Sequence, residues 1–417
     1  MITRSRSGER GQTIVLVALS IVSLLAMGAL AIDVVTLYTA RSEIQRAADA
    51  AALAGAKAFV DSGSTSDPNN ASLQSLAKSM GTSFINAILA ENKVGGVPPV
   101  LLGTPVYDFT THPGNPQVTV TLQRTDLPIF FARMWSRAAP TVTALARAEA
   151  YNASNSQANT GNLVPIAPKC VKPFLVPNQD PNRGGAPYIT VSPTRPGLVA
   201  PNLVGETVSW RNGCGNGGST CGPPVPSGSP TGDYYFPAVV AANPANLCPL
   251  CSVGAPTNYE QIIGCCSETS VLIPPASCGG TTPNATVDFA IDPGPPGNET
   301  QNGVSCLIHK PTPDTLDTSY FPTGPMQISA GSGPQSGKLV TTSSSIVTLP
   351  IYDNLTMNTN TGQVTVIGFL QAFISDAPGG TINATILNVV GCGNNPGAGA
   401  PISGGGISPI PVRLIHH

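Results

Sequence analysis

From Gly11 to Ile32 the chain carries twenty-two residues without a charge, and from Val34 to Phe59 apolar or small residues return every third or fourth position. The first pattern is a continuous apolar run; the second is one stripe of an amphipathic helix. No proline separates them, so together they predict a single helical rod of roughly 45 residues. At about 1.5 Å per residue the uncharged half reaches about 33 Å, enough to cross the roughly 30 Å hydrocarbon core of a bilayer. On the other half Leu37, Ile44, Ala48, Ala51, Gly55 and Phe59 mark the stripe, with Arg41 the one charge on its line, while Glu43, Arg46, Asp49 and Lys57 keep the remainder polar. The stripe narrows from large side chains to Ala and Gly, so residues 47–58 offer a surface that another helix can approach closely.

A polar turn leads to a second helical pattern from Ala71 to Asn92. Leu73, Leu76, Ala77, Met80, Phe84, Ala87 and Ile88 share one face, Asn69 or Asn70 caps the start, and Gly95-Gly96 with Pro98-Pro99 ends it. This helix is expected to pack on the alanine face of the first. Strand patterns follow at Val100 to Thr110, at Gln117 to Arg124 and, more weakly, at Pro140 to Tyr151; Leu127 to Trp135 reads as a short helix or an apolar loop. By analogy of element order, residues 33–152 form a small α+β module of the pilin kind.

Residues 153–162 lack an apolar anchor and read as a linker. Beyond them a mainly β domain is expected over 163–392. Short strand candidates lie at Tyr188 to Ser192, Leu203 to Trp210, Tyr234 to Ala241 and Ala285 to Ile291. Lys338 to Tyr352, Gln363 to Ser375 and Gly380 to Gly391 are longer, and hairpin-length links predict an antiparallel meander with Val364, Val366, Phe369 and Phe373 in its core. Residues 393–417, rich in Gly and Pro, are expected to be a loose tail.

Flanking charge sets the direction of the apolar run. Arg4, Arg6 and Arg10 precede it, whereas Asp33 follows it with no cation before Arg41. The positive-inside rule then makes residues 1–10 a cytoplasmic leader and 11–32 a transmembrane helix, with about 385 residues across the membrane. A cleaved export signal is the competing expectation, because Ala29-Leu30-Ala31 has the small-x-small form of a cleavage site. Against it, the run exceeds the roughly 7–15 apolar residues of a signal core, and helical sequence continues past the cut.

Composition narrows the picture further. Gly and Pro supply 44 and 42 of the 417 residues and aromatics only 5%, so long helices cannot dominate, yet the 41% apolar content is too high for disorder. With 10% charged residues and a net charge of −2, the chain lacks the basic surface that nucleic-acid binding needs. All ten cysteines, Cys170, Cys214, Cys221, Cys248, Cys251, Cys265, Cys266, Cys278, Cys306 and Cys392, fall in the part placed outside the cytoplasm, and their even number reads as a disulfide framework. Cys265 and Cys266 are neighbours, and a bond between adjacent residues strains the peptide joining them, so each is expected to pair elsewhere.

Asp33, Tyr38 and the string Ile44-Gln45-Arg46-Ala47-Ala48-Asp49-Ala50-Ala51-Ala52-Leu53-Ala54-Gly55-Ala56 follow the apolar run in a specific order. In that order residues 8–60, and more loosely the chain to about 152, resemble the amino-terminal segment of the TadE/TadG-like proteins of Tad (Flp pilus) assembly systems. That family has a similar basic leader with a Gly, one membrane helix, an apolar-Asp-apolar step, a Tyr and a string like LQNAADAAALAGA. The resemblance implies a single-pass protein retained in the bacterial inner membrane, with the lipid bilayer and other Tad membrane proteins or pilins as partners. It makes Asp33, Tyr38, Ile44, Ala48, Asp49, Ala51 and Gly55 the expected helix-packing motif. Some relatives are processed like pilins, after a Gly and with Glu at the fifth position beyond it; here those positions hold Thr13 or Leu16, so such processing is not expected. Many TadG-like proteins carry a von Willebrand A domain whose metal site uses Asp-x-Ser-x-Ser. The nearest string, Asp61-Ser62-Gly63-Ser64-Thr65, has Gly at the first Ser and follows a helix rather than a strand, so it predicts no metal site.

Catalytic patterns are missing. His112, His309, His416 and His417 have no catalytic setting, and no Gly-x-Ser-x-Gly elbow, His-Glu-x-x-His pair or phosphate-binding Gly-Lys-Ser/Thr loop occurs. Cys248-Pro-Leu-Cys251 has redox or zinc spacing, but no second pair at zinc spacing follows, and it reads as structural disulfides. Asp288 with Asp292, and Asp314 with Asp317, lack a calcium loop. The expectation is a membrane-anchored structural or accessory component of a Tad pilus-assembly or secretion system, without enzymatic activity, cofactor, metal or small-molecule substrate. The alternatives are a secreted or surface-displayed adhesin whose first sixty residues serve export only, and a periplasmic hydrolase using a cleft of the loop-rich domain.

Overall fold

Both halves of the opening pattern lie on one helix, α1 (Ser7–Asp61). Its large apolar side chains from Ile14 to Ile32 stand exposed, whereas Ala40, Ile44, Ala47, Ala48, Ala51, Ala52, Ala56 and Phe59 are buried. The computed structural model describes residues 7–111, 115–128, 131, 139–154, 166–192, 195–214, 232–238, 257–266, 271, 288–290, 297–353, 363–391 and 408–415.

The turn after α1 ends at Asn70, whose side-chain oxygen accepts from the Ser72 and Leu73 amides at 3.1 and 3.3 Å and so caps α2 (Ala71–Glu91). The buried line of α2 is Leu73, Leu76, Ala77, Gly81, Ile85 and Leu89. This corrects the expected stripe, which ran through Met80, Phe84 and Ala87. Gly81 admits the Tyr107 ring, whose hydroxyl lies 2.8 Å from where a Cβ would stand, and Met80 and Phe84 turn towards a separate cavity.

An antiparallel sheet packs beneath the helices. It contains β1 (Val100–Leu101) and β2 (Val106–Asp108), both paired to β3 (Gln117–Arg124), which pairs in turn with β4 (Val142–Ala150). The pattern at Val100 to Thr110 is thus two short strands rather than one. In register, Val118 faces Ala148, Val120 faces Ala146 and Leu122 faces Ala144, all six buried. Alternation supplies that face, and the alanines of β4 let the alanine stripe of α1 lie close against it.

The second unit contains β5 (Phe174–Pro177), the hairpin β6 (Ile189–Ser192) and β7 (Arg195–Val199), β8 (Thr207–Asn212), β9 (Tyr234–Pro237), α3 (Asn258–Gly264), β10 (Asp288–Ala290), α4 (Gly297–Leu307), the small sheet β11 (Thr315–Asp317), β12 (Gln327–Ser329) and β13 (Leu339–Val340), then β14 (Ile346–Tyr352), β15 (Gln363–Asp376) and β16 (Ile382–Gly391). The last three form the expected antiparallel meander. The surprise is closure. β15 pairs with both β14 and β16, and β14-β5-β9-β8-β16 completes a six-stranded ring in which β5 runs parallel to β14 and β8 parallel to β9. A closed ring leaves few unpaired strand edges. Gly368 faces Gly391 across β15 and β16, and Ile189 lies over both, so close that a Cβ on either would collide with it.

Overall the described residues form a mixed α and β fold. The α3–α4 pair adds helix to a region expected to be loops and strands; Ile263 packs where a Cβ on Gly303 would stand, and Thr300 accepts from the Tyr235 hydroxyl at 2.9 Å. Ala153 and Ser154, placed in the expected linker, are buried. The expected loose tail also differs, since β17 (Val412–Leu414) pairs with β4, and Arg413 meets Glu149 at 2.6 Å while lying 5.1 Å from the Tyr151 ring centre. A strand edge and a buried carboxylate on β4 supply the partners that the tail's composition does not reveal.

Cys170 and Cys266 are joined, so Cys266 bonds away from its neighbour as expected. Cys214, Cys265 and Cys306 are also disulfide-bonded. Cys221, Cys248, Cys251, Cys278 and Cys392 lie outside the described residues.

Candidate functional site

The positions singled out on α1 divide by environment. Ile44, Ala48 and Ala51 are fully buried, and Gly55 sits where α1, α2 and β3 meet: a Cβ there would lie 2.9 Å from Ile85 Cδ1 and 3.2 Å from Val118 Cγ1. Asp49, on the border of this face, accepts from Gln45 Nε2 at 2.9 Å, and that same amide reaches the Leu145 carbonyl of β4 at 3.3 Å. Tyr38 is 77% exposed. Asp33, directly after the uncharged run, is buried and accepts from the Phe131 amide at 3.0 Å. The alanine face is filled by α2, as expected, and by β3 and β4 as well. Small residues on α1 meet small residues on β4, and that mutual fit makes the stripe a core.

A polar seam joins this layer to the barrel. The string Asp61-Ser62-Gly63-Ser64-Thr65 is the start of the α1–α2 turn, and Ser62, Ser64, Thr65 and Ser66 are buried. Gly63 has φ +74 and lies so near Val204 that a Cβ would stand 2.5 Å from Cγ1, which leaves glycine as the residue that fits. Asn388 of β16 donates to the Val60 carbonyl at 3.1 Å and to Gln371 Oε1 at 2.9 Å, and accepts from Ser66 Oγ at 3.2 Å. Ser66 Oγ in turn accepts from the Val389 amide at 2.9 Å. Asn152 Nδ2 bridges the carbonyls of Thr65 and Val389 at 3.1 and 2.9 Å. Such a network is costly to leave half-made, so it fixes one arrangement of turn and barrel.

Residues 11–58 match the TadE/G-like Flp pilus-assembly family. The matched segment ends two residues before Val60, where the seam begins, and it contains the bare apolar half of α1 and the buried stripe as far as Gly55. No curated protein and no solved structure matches the chain. Among the described residues one helix is long and apolar enough to cross a membrane, and its most apolar window is not buried.

Other chemistry-bearing groups have structural partners. Asp314 accepts from the Gly331 amide at 2.9 Å and Ser343 Oγ at 2.6 Å, and Asp317 from the Ser319 amide at 2.8 Å. His309 Nδ1 lies 3.3 Å from Ser344 Oγ. Lys172 is buried beside the Cys170–Cys266 bridge and donates to the Cys265 carbonyl at 2.6 Å; burial pushes its ammonium pKa down to about 7. Asp180, near Arg183 and Glu206, is pushed up to about 6 by burial. Among the described residues no group of three or more His, Cys, Asp or Glu could hold a metal ion. A cavity of about 530 Å³ lies between Met80 and Phe84 of α2, Ile328 and Leu339 of the small sheet, and Gln371 and Asn388 of the barrel. Burial pushes Asp61, at its rim, above the ordinary carboxylate value, with the Lys57 charge pulling it back.

Phe131, Asn152 and Asn388 belong to no sequence motif. Asn388 nevertheless left a signal: it continues the buried parity of Ile382, Ala384 and Ile386, where an apolar residue belongs. The Asp33–Phe131 contact spans 98 positions and left none.

Proposed function

We propose that this chain is a single-pass protein of the bacterial inner membrane and a retained accessory component of a Flp pilus-assembly (Tad) system, acting by anchoring and packing without catalysis. The observation that carries this is the TadE/G-like match over a helix whose first half bares its large apolar side chains from Ile14 to Ile32. In water that surface is unfavourable; in a bilayer it is solvated. The charges before Gly11 favour a cytoplasmic amino terminus, and disulfides in the rest of the chain fit an oxidising compartment beyond the membrane. A helix laid on an antiparallel sheet supports the pilin analogy for the module, at the level of layers alone. Because the alanine stripe is filled within the chain, other Tad membrane proteins or pilins would meet α1 through its lipid-facing half.

The test is complementation in a cell whose own copy has been deleted. Surface pili are expected to be lost, to return with the full chain, and to stay absent when residues 1–32 are replaced by a cleavable export signal. Pili restored by that soluble form would overturn the anchored reading and favour an exported one.

A further inference from the structure

Leu127 and Phe131, both between β3 and β4, have contacts at two different heights along α1. Leu127 packs against Gly95, and the Gly95 amide donates to Glu43 Oε2 at 2.8 Å. Four residues later the Phe131 amide donates to Asp33 Oδ2 at 3.0 Å. Glu43 to Asp33 is ten helical residues, about 15 Å along the axis of α1. The Phe131 amide therefore lies at the height of the first residue after the apolar run. Asp33 is 2% exposed there; a buried carboxylate is costly without donors, and a loop amide supplies one.

This height coincides with a lipid boundary if α1 is a membrane anchor, the reading on which the inference rests. The headgroup layer is about 5–8 Å thick on each side, and Asp33 to Tyr38 rises about 7.5 Å. Within that rise Tyr38 is 77% exposed, Val35 64% and Phe131 39%. Aromatic side chains favour this layer, which wets one end and shields the other. We propose that Phe131, bonded at Asp33, and Tyr38, higher on α1, form an aromatic collar around the helix in the lipid headgroup region, and that Asp33 is the positioning residue that holds Phe131 at that depth. The collar would give the module a second grip on the bilayer and fix its tilt. Lipid is the favoured occupant because the surface is continuous with the apolar half of α1.

The chain has two tryptophans, Trp135 and the fully buried Trp210. Trp135→Phe leaves Trp210 as an internal reference, and adding Phe131→Trp reports on the loop. The full-length chain is placed in phosphatidylcholine vesicles with or without bromine near the top of the acyl chains, and incorporation is read by flotation. The indole at 131 is expected to be quenched several-fold more than Trp210, and Asp33→Leu to bring that quenching down towards the Trp210 level. A chain that floats while residue 131 is quenched no more than Trp210 overturns the collar and leaves the anchor standing. Quenching unchanged by Asp33→Leu overturns the positioning role, and a chain that does not float overturns the anchored reading and the collar with it.

Discussion

Replacing Cys170 and Cys266 together by Ala is expected to lower the stability of the barrel by about 4–5 kcal/mol, the loop-closure value for a bridge spanning roughly 100 residues. The pair is separated by 96 positions and ties the chain before β5 to the end of α3. Few other contacts could replace it, because β5, β8 and β9 are only four to six residues long and reach their partners from distant sequence. Lys172 adds to the loss: its ammonium donates to the carbonyl of Cys265, and a displaced α3 end would leave that buried group unpaired. Urea unfolding followed through Trp210 in a Trp135→Phe background should show a midpoint lower by roughly 1.5 M, for a slope of about 3 kcal/mol per molar. An unchanged midpoint would mean that burial alone holds the ring closed.

Gly55→Leu is the second large effect, expected to cost about 3 kcal/mol or more in the helix-and-sheet module. A Cβ alone would stand 2.9 Å from Ile85 Cδ1 and 3.2 Å from Val118 Cγ1, and a leucine adds three further carbons where α2 and β3 already touch. Gly55→Ala should be close to neutral, since the end of Ile85 can give by a few tenths of an ångström and alanine gains up to about 1 kcal/mol in helix propensity. Thermal unfolding of the detergent-solubilised full chain distinguishes the two substitutions. If the stripe instead received a helix from another protein, Gly55→Leu would leave the isolated chain's stability unchanged and weaken only co-purification.

Local patterns were legible where local physics decides. The extents of α1, α2 and β3 follow from periodicity and from the Asn70 cap, and the β14-β15-β16 meander from alternation and turn chemistry. The face of α2 was misjudged because Gly81 and Gly55 reward close approach by Tyr107 and Ile85, a benefit that hydrophobic pattern does not score. A signal for α3 stood in the sequence: Thr257 and Glu260 form a capping box three residues apart. No such signal marks α4, whose Gly, Asn and Thr are poor helix formers and whose Gly303 and Thr300 are held by Ile263, Tyr235 and Tyr259. Ring closure and β17 were not legible either, because short strands take their partners from tertiary context. Of the site, the apolar and alanine halves of α1 and the packing of α2 on the alanine face were readable, but the strand that the alanines also meet was not. That depended on Ala144, Ala146 and Ala148, almost a hundred residues away.

The division of α1 between lipid and protein core can be measured residue by residue, by photolabelling the full-length chain in bilayers with an apolar carbene precursor dissolved in the lipid and mapping the adducts by mass spectrometry. Label is predicted along Thr13 to Ile32 and absent from Ile44 to Phe59, where Ile44, Ala48, Ala51 and Phe59 are fully buried. Equal labelling of the two halves, or label confined to residues 44–59, would contradict it.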